Sequence, residues 1–167
     1  MLSQNFLEQI KNKQANLDNF IFEKSNTSRE ETVQKRQLAF IIELSEFINE
    51  QRDFKYWSKK PTSDKDILLE EYVDGLHFLI SIANDIEGLD FSEFKFIPIK
   101  WVSLTKLYLD CYNKFMFFTK NVRISHYFIL LNSFLNIGYN LKFDEDIIIK
   151  HYERKNKINF QRQENNY

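Results

Sequence analysis

The sequence predicts an all-α fold, a single bundle of about six helices, and three observations predict it. Apolar residues recur with a period near 3.6 along almost the whole chain. Only 3 glycines and 2 prolines occur in 167 residues, too few turn-formers to punctuate a many-stranded sandwich or barrel. The length suits one domain, residues 1–167, with a sizeable core, and is short for two.

The elements follow in order, with bounds good to roughly three residues. A first helix is expected over 4–24 and a second over 28–53, the latter opened by Ser28 with Glu31 three residues on, a pairing that satisfies orphan amides and suits the helix dipole. Pro61 closes the linker from Tyr56 to Thr62, and Ser63 with Asp66 opens a third helix over 64–87. Gly88 and Pro98 bracket the break before a fourth over 98–119; a fifth spans 121–139 and a sixth 143–158. By composition alone, residues 153–167 read as a polar, solvated end.

Composition also excludes functions. With glycine only at 75, 88 and 138, neither the dinucleotide fingerprint nor the P-loop can be written, so any phosphate must be held by another device. A net charge of -1 sets up no global field toward nucleic acid or anionic lipid, and neither is expected as a partner. The lone Cys111, set among Phe, Tyr and Leu, reads as a buried apolar residue in a reducing compartment. There is no leader-like N-terminus and no run of roughly 18 apolar residues, so a soluble, cytoplasmic protein is expected.

Two helices carry the informative residues. On the second, Glu43, Glu46 and Glu50 share a narrow stripe while Leu38, Phe40, Ile41, Ile42, Leu44, Phe47 and Ile48 cover most of the remainder. On the third, Glu71 and Asp74 are again three apart, with Glu70, His77, Ser81 and Asp85 on the same polar side. Like charges squeezed beside a core repel unless a cation compensates. Two facing i,i+3 acid pairs can surround a hard divalent cation with oxygens, which suits magnesium; a di-iron site would want Glu-x-x-His on two helices, and only Asp74 is followed by a histidine at that spacing.

These residues resemble the dimeric, all-α dUTP pyrophosphatases, relatives of the MazG-like nucleoside triphosphate pyrophosphohydrolases. The resemblance rests on Glu43-Leu44-Ser45-Glu46, on Lys55-Tyr56-Trp57-Ser58, and on Glu71-Tyr72-Val73-Asp74-Gly75-Leu76-His77-Phe78. It is completed by a tail in which Tyr152, Lys155, Asn156, Asn159, Arg162 and Gln163 fall at the matching spacing. It runs in order from about residue 10 to the C-terminus; the paired acids are common to the wider superfamily and the other segments mark the dUTP-hydrolysing branch.

The resemblance implies Mg2+ ligands at Glu43, Glu46, Glu71 and Asp74, with Glu46, or else Glu43, as the carboxylate that helps orient the attacking water. It implies Trp57 against the uracil ring, Lys55 near the phosphates, His77 hydrogen-bonded to the deoxyribose or base, and Gln14 reading the uracil edge. The tail would close over the nucleotide, with Lys155 and Arg162 on phosphates and Asn159 on the base. Lys155, Asn159 and Arg162 are four and three apart, so on a helix they share one face.

The implied activity is dUTP diphosphatase, giving dUMP and pyrophosphate. Alternatives are a MazG-like pyrophosphohydrolase of other base preference, or a non-enzymatic helical dimer that binds a regulatory protein. Phage-borne relatives sometimes bind regulatory proteins, and the Phe, Ile, Asn and Lys richness suggests an AT-rich bacterial or phage source. The aromatic excess, including Phe115, Phe117, Phe118, Phe128 and Phe134, exceeds what one small bundle readily buries, which predicts a homodimer interface.

Overall fold

Most helices begin where the sequence offers a side-chain cap. The Ser3 hydroxyl accepts the Phe6 amide and starts α1 (Gln4–Lys24). Ser28 and Glu31 form a reciprocal capping box at the head of α2 (Arg29–Gln51), as their spacing predicts. Then come α3 (Lys65–Ala83), a 3₁₀ turn at Phe91–Glu93, α4 (Leu104–Lys120), α5 (Ile124–Asn140) and α6 (Glu145–Glu164). The computed structural model describes residues 1–100 and 103–165; among these there is no strand, and no helix is long and apolar enough to cross a membrane.

α3 is the axis. Twelve of its 19 residues are buried, so it is enclosed by its neighbours rather than laid on a surface. α2 packs along one side of it, α1 and α6 along another, and α5 touches its middle, where Gly75 lets the Phe134 ring approach to 3.3 Å of where a Cβ would sit. Tyr72 stacks on Phe134 with ring centroids 4.7 Å apart, and Phe40 lies between Phe115 and Phe134. Cys111 is buried, and burial pushes its thiol up to about 12, so it is an inert core residue.

Several expectations are corrected. Ser63 does not cap α3: its hydroxyl donates to Glu50, and the capping position is Asp64, which makes no side-chain bond there. α3 stops at Ala83: the Asn84 main-chain amide turns back to the Ser81 and Ile82 carbonyls, and its side-chain Nδ2 donates to the Lys11 carbonyl. The fourth helix begins at Leu104 instead of near 98, on a Ser103 cap whose hydroxyl accepts the Lys106 amide. α6 runs on to Glu164, since its outer part has partners: Phe160 meets Phe20 at 5.6 Å, and Lys13 pairs with Glu153. Of the aromatic residues assigned to an excess, Phe115, Phe118 and Phe134 are core, Phe128 is half-buried and Phe117 is exposed.

The stretch before α4 is an extended strap held by an asparagine ladder on α5. Asn132 Oδ1 accepts the Ile97 amide at 2.8 Å and Asn136 Oδ1 accepts the Ile99 amide at 2.7 Å. Asn136 Nδ2 donates to the Ile97 carbonyl at 3.0 Å and Asn140 Nδ2 to the Ile99 carbonyl at 2.8 Å. Asn136 is fully buried, so Asn136→Ala is expected to cost about 1–3 kcal/mol of stability, because it strands main-chain groups at the strap. Urea unfolding measures the loss, and hydrogen exchange at the Ile99 amide should accelerate in the same variant.

Candidate active site

The i,i+3 spacing on α2 and α3 does what it predicts: it turns acids toward a shared seam. Carboxylate oxygens of Glu43, Glu46 and Glu71 all lie within 4.8 Å of one another. Glu43 and Glu71 are half-buried and Glu46 is exposed. Burial first, then the charges of Asp74, Glu46 and Glu71, raise Glu43 to about 7, and burial with Asp74 and Glu46 raises Glu71 in the same direction. Three converging carboxylates are a hard oxygen donor set suited to a divalent cation.

Asp74 is treated differently. Its Oδ2 receives the Lys155 ammonium of α6 at 2.5 Å, with both side chains about six-sevenths buried. Burial raises the Asp74 pKa, and Lys155 and Arg162 pull against that rise. The tail lysine that the resemblance implied on phosphates thus lies against a seam carboxylate, and Arg162 is near enough to be felt there. Asn159 is half-buried on the same helix.

Outside the seam opens a cavity of about 480 Å³ lined by Ile42, Ser45, Glu46, Asn49, Glu50 and Glu71. Lys55 reaches its wall, donating to both the carbonyl and the side-chain oxygen of Asn49. The linker is stapled by Arg52, which adopts a left-handed conformation at φ 72° to end α2 and donates to the Ser58 hydroxyl at 2.6 Å and the Lys60 carbonyl at 3.2 Å. Trp57 rides on this loop, 64% exposed, edge-on to Phe54 and Tyr56. Its ring meets its loop neighbours here.

Gln14 and His77 come together, but in the interior. Both are buried, and Gln14 Oε1 lies 2.8 Å from His77 Nδ1 while accepting the Tyr152 hydroxyl at 3.1 Å. The polar side of α3 is covered at His77 and Ser81, because α1 and α6 pack over it. Burial pushes the His77 pKa down to about 3, helped by Lys155, so the ring is neutral.

All of these residues lie within one continuous match to the dUTPase family, residues 6–167. The chain belongs to this all-helical dUTPase family. Individual curated proteins give no match to it. The dUTPase takes dUTP as substrate and releases dUMP.

Sequence reasoning missed the polar cluster behind this dUTPase site. Asp18, Arg29, Arg36, Ser81 and Asp85 join α1, α2 and α3: Arg36 donates to Asp85 at 2.8 Å, Arg29 to Asp18 and Asp85, and Ser81 to Asp18 at 2.6 Å. A signal was available in Asp18, four residues after Gln14 and so on the same face of α1. Asn156, one turn beyond Tyr152, is buried with its Nδ2 unpaired.

The acid cluster makes a stability prediction. The folded-state pKa of Glu43 stands above its ordinary 4.5, so its contribution is full below that value and is lost as pH rises through about 7. Glu43→Gln cannot ionise; it is expected to match the parent dUTPase at about pH 4 and to exceed it by about 1 kcal/mol at about pH 8, a small figure because a half-exposed carboxylate is screened. Thermal melts in metal-free buffer at the two pH values measure this.

Proposed function

We propose that this dUTPase attacks the triphosphate with water in a Mg2+-dependent reaction at the seam of α2 and α3, releasing pyrophosphate with dUMP. The observation that carries the reading is the convergence of Glu43, Glu46 and Glu71 oxygens within 4.8 Å, beside an Asp74 already bound by a cation. In this reading Glu43, Glu46, Glu71 and Asp74 hold the magnesium. When bound, the cation would neutralise phosphate charge and make the attacking water more acidic.

The protein's own groups do the rest. Glu46, the exposed member of the cluster, orients the water and takes its proton on a carboxylate oxygen; Glu43, whose burial resists charge, is a ligand first. Lys155 and Arg162 bring cations to the phosphates from α6. The same helix shields the seam from bulk water, which keeps these attractions strong. Lys55, anchored at the cavity wall, faces the phosphates, and Trp57 turns from its loop neighbours to stack on uracil, while Asn159 and the Gln14–His77 pair serve the nucleoside.

Two copies are proposed to form the working unit in the cytoplasm. Leu38 and Ile42 on α2 and Leu109 and Met116 on α4 are all exposed, and the Ser45 and Tyr112 hydroxyls, 2.8 Å apart, tie the two helices side by side. Ile42 also lines the cavity, so this apolar face runs to the edge of the site.

Pyrophosphate release from dUTP, dCTP, dTTP and UTP, with magnesium or with chelator, tests the reaction. Only dUTP with magnesium is expected to turn over well. Glu46→Ala and Asp74→Ala are each expected to lose at least about a hundredfold in kcat, the scale of about 3 kcal/mol of charge stabilisation. Full activity in either variant would overturn the assignment. Light scattering at micromolar concentration should give twice the chain mass.

A further inference from the structure

Asp18 lies behind the nucleoside end of the proposed site, 4% exposed and ringed by donors. Its Oδ2 takes the Ser81 hydroxyl at 2.6 Å and Arg29 Nη2 at 3.4 Å, and its Oδ1 takes Gln14 Nε2 at 2.7 Å. Burial raises the Asp18 pKa, and the Ser81 and Gln14 donors with the charges of Arg29 and Arg36 pull against that rise; as a carboxylate it only accepts, so the atom of Gln14 that faces it is the nitrogen. The amide oxygen then faces the other way, 2.8 Å from His77 Nδ1. An amide oxygen has no proton to give. His77 Nδ1 must therefore carry the hydrogen, and in a neutral ring the second nitrogen, Nε2, is left as a bare lone pair.

His77 Nε2 is buried and has no hydrogen-bond partner. The Tyr152 ring stacks on the imidazole at 3.9 Å and fixes its plane. The Tyr152 main-chain carbonyl favours a proton on the ring, but burial and the charge of Lys155 outweigh it. Both bonds that set the tautomer, Asp18 to Gln14 and Gln14 to His77, lie within α1 and α3. Neither bond involves α6.

We propose that Asp18 is a positioning residue for base selection: by orienting the Gln14 amide it holds His77 as the Nδ1–H tautomer, so that Nε2 meets the nucleotide as a hydrogen-bond acceptor. The inference rests on the dUTPase reading of the site. A buried acceptor favours a base that presents an N–H to it, as the imide N3 of uracil does. The N3 of cytosine presents a lone pair, and two facing lone pairs leave both unpaired. Gln14 thus acts through His77, because its oxygen is already shared by His77 and Tyr152.

Long-range proton–nitrogen correlation spectra of the full, nitrogen-labelled protein distinguish the two tautomers, and a His77→Gln sample assigns the His77 signals. The expected result is Nδ1–H in the free protein at neutral pH, with the Nε2 signal shifting on titration with dUMP and much less with dCMP. Asp18→Asn, whose amide can face Gln14 either way round, is expected to mix the tautomers. It should also lower the dUTP to dCTP ratio of kcat/KM about tenfold, chiefly through KM, as one mispaired polar contact does. Ser81→Ala, which leaves the Gln14 contact in place, should keep the Nδ1–H signature.

An Nε2–H tautomer in the parent protein, which no folding defect of a variant can mimic, would overturn the proposal. So would equal losses for dUTP and dCTP in Asp18→Asn, the outcome expected if His77 binds the sugar. Absence of dUTP turnover in the parent protein is a separate result: it would sink the catalytic reading, while the tautomer and the dUMP titration still decide the role of Asp18.

Discussion

Repulsion among four carboxylates on two adjacent helices is the constraint around which this molecule is arranged. Helical spacing forces Glu43, Glu46, Glu71 and Asp74 into one seam, and the packing of α2 on α3 half-buries most of them. Desolvated like charges are costly, and the structure answers in two ways. The pKa values of Glu43 and Glu71 are raised, chiefly by burial, and a lysine is supplied to Asp74 from 81 residues further along the chain. Docking of α6 is thereby tied to the charge state of the seam. The C-terminal helix is electrostatically part of the site before any nucleotide arrives.

Behind the seam the balance is reversed. Asp18, Arg29, Arg36 and Asp85 are acids and bases in alternation, each with a partner of opposite sign, and they need no outside cation. Removing one member of such a buried network costs several kcal/mol, roughly 3–5, because it strands the others. One half of the α1–α2–α3 interface is therefore electrostatically complete and rigid, and the other is incomplete and responsive. A nucleotide bridging the two would put its phosphates on the responsive half and its base near the rigid one.

Much of the fold and the acid seam was legible in the sequence because those features are local. A capping box at Ser28, a 3.6 period and i,i+3 acid pairs are written within a few residues of one another. The family resemblance extended this to the tail. Features that needed distant partners were not legible. Ser63 looks like a cap until Glu50, thirteen residues back, takes its hydroxyl. His77 looks solvated until α1 and α6 close over it, and residues beyond Lys155 look frayed until Phe160 finds Phe20. The strap from Pro98 onward reads as the start of a helix unless the asparagines of α5 are counted as its partners.

That ladder works as a ruler. Four residues of helix advance about 6 Å and two residues of extended chain about 6.6 Å, so asparagines at 132, 136 and 140 step in register with every second residue of the strap. Only main-chain atoms are gripped, and the side chains of Ile97 and Ile99 are left partly or largely in solvent. Proline is admitted at 98, the one position between two gripped amides where no donor is asked for, and would be refused at 97 or 99. The path of residues 97–99 is thus encoded on a different helix from the residues that follow it.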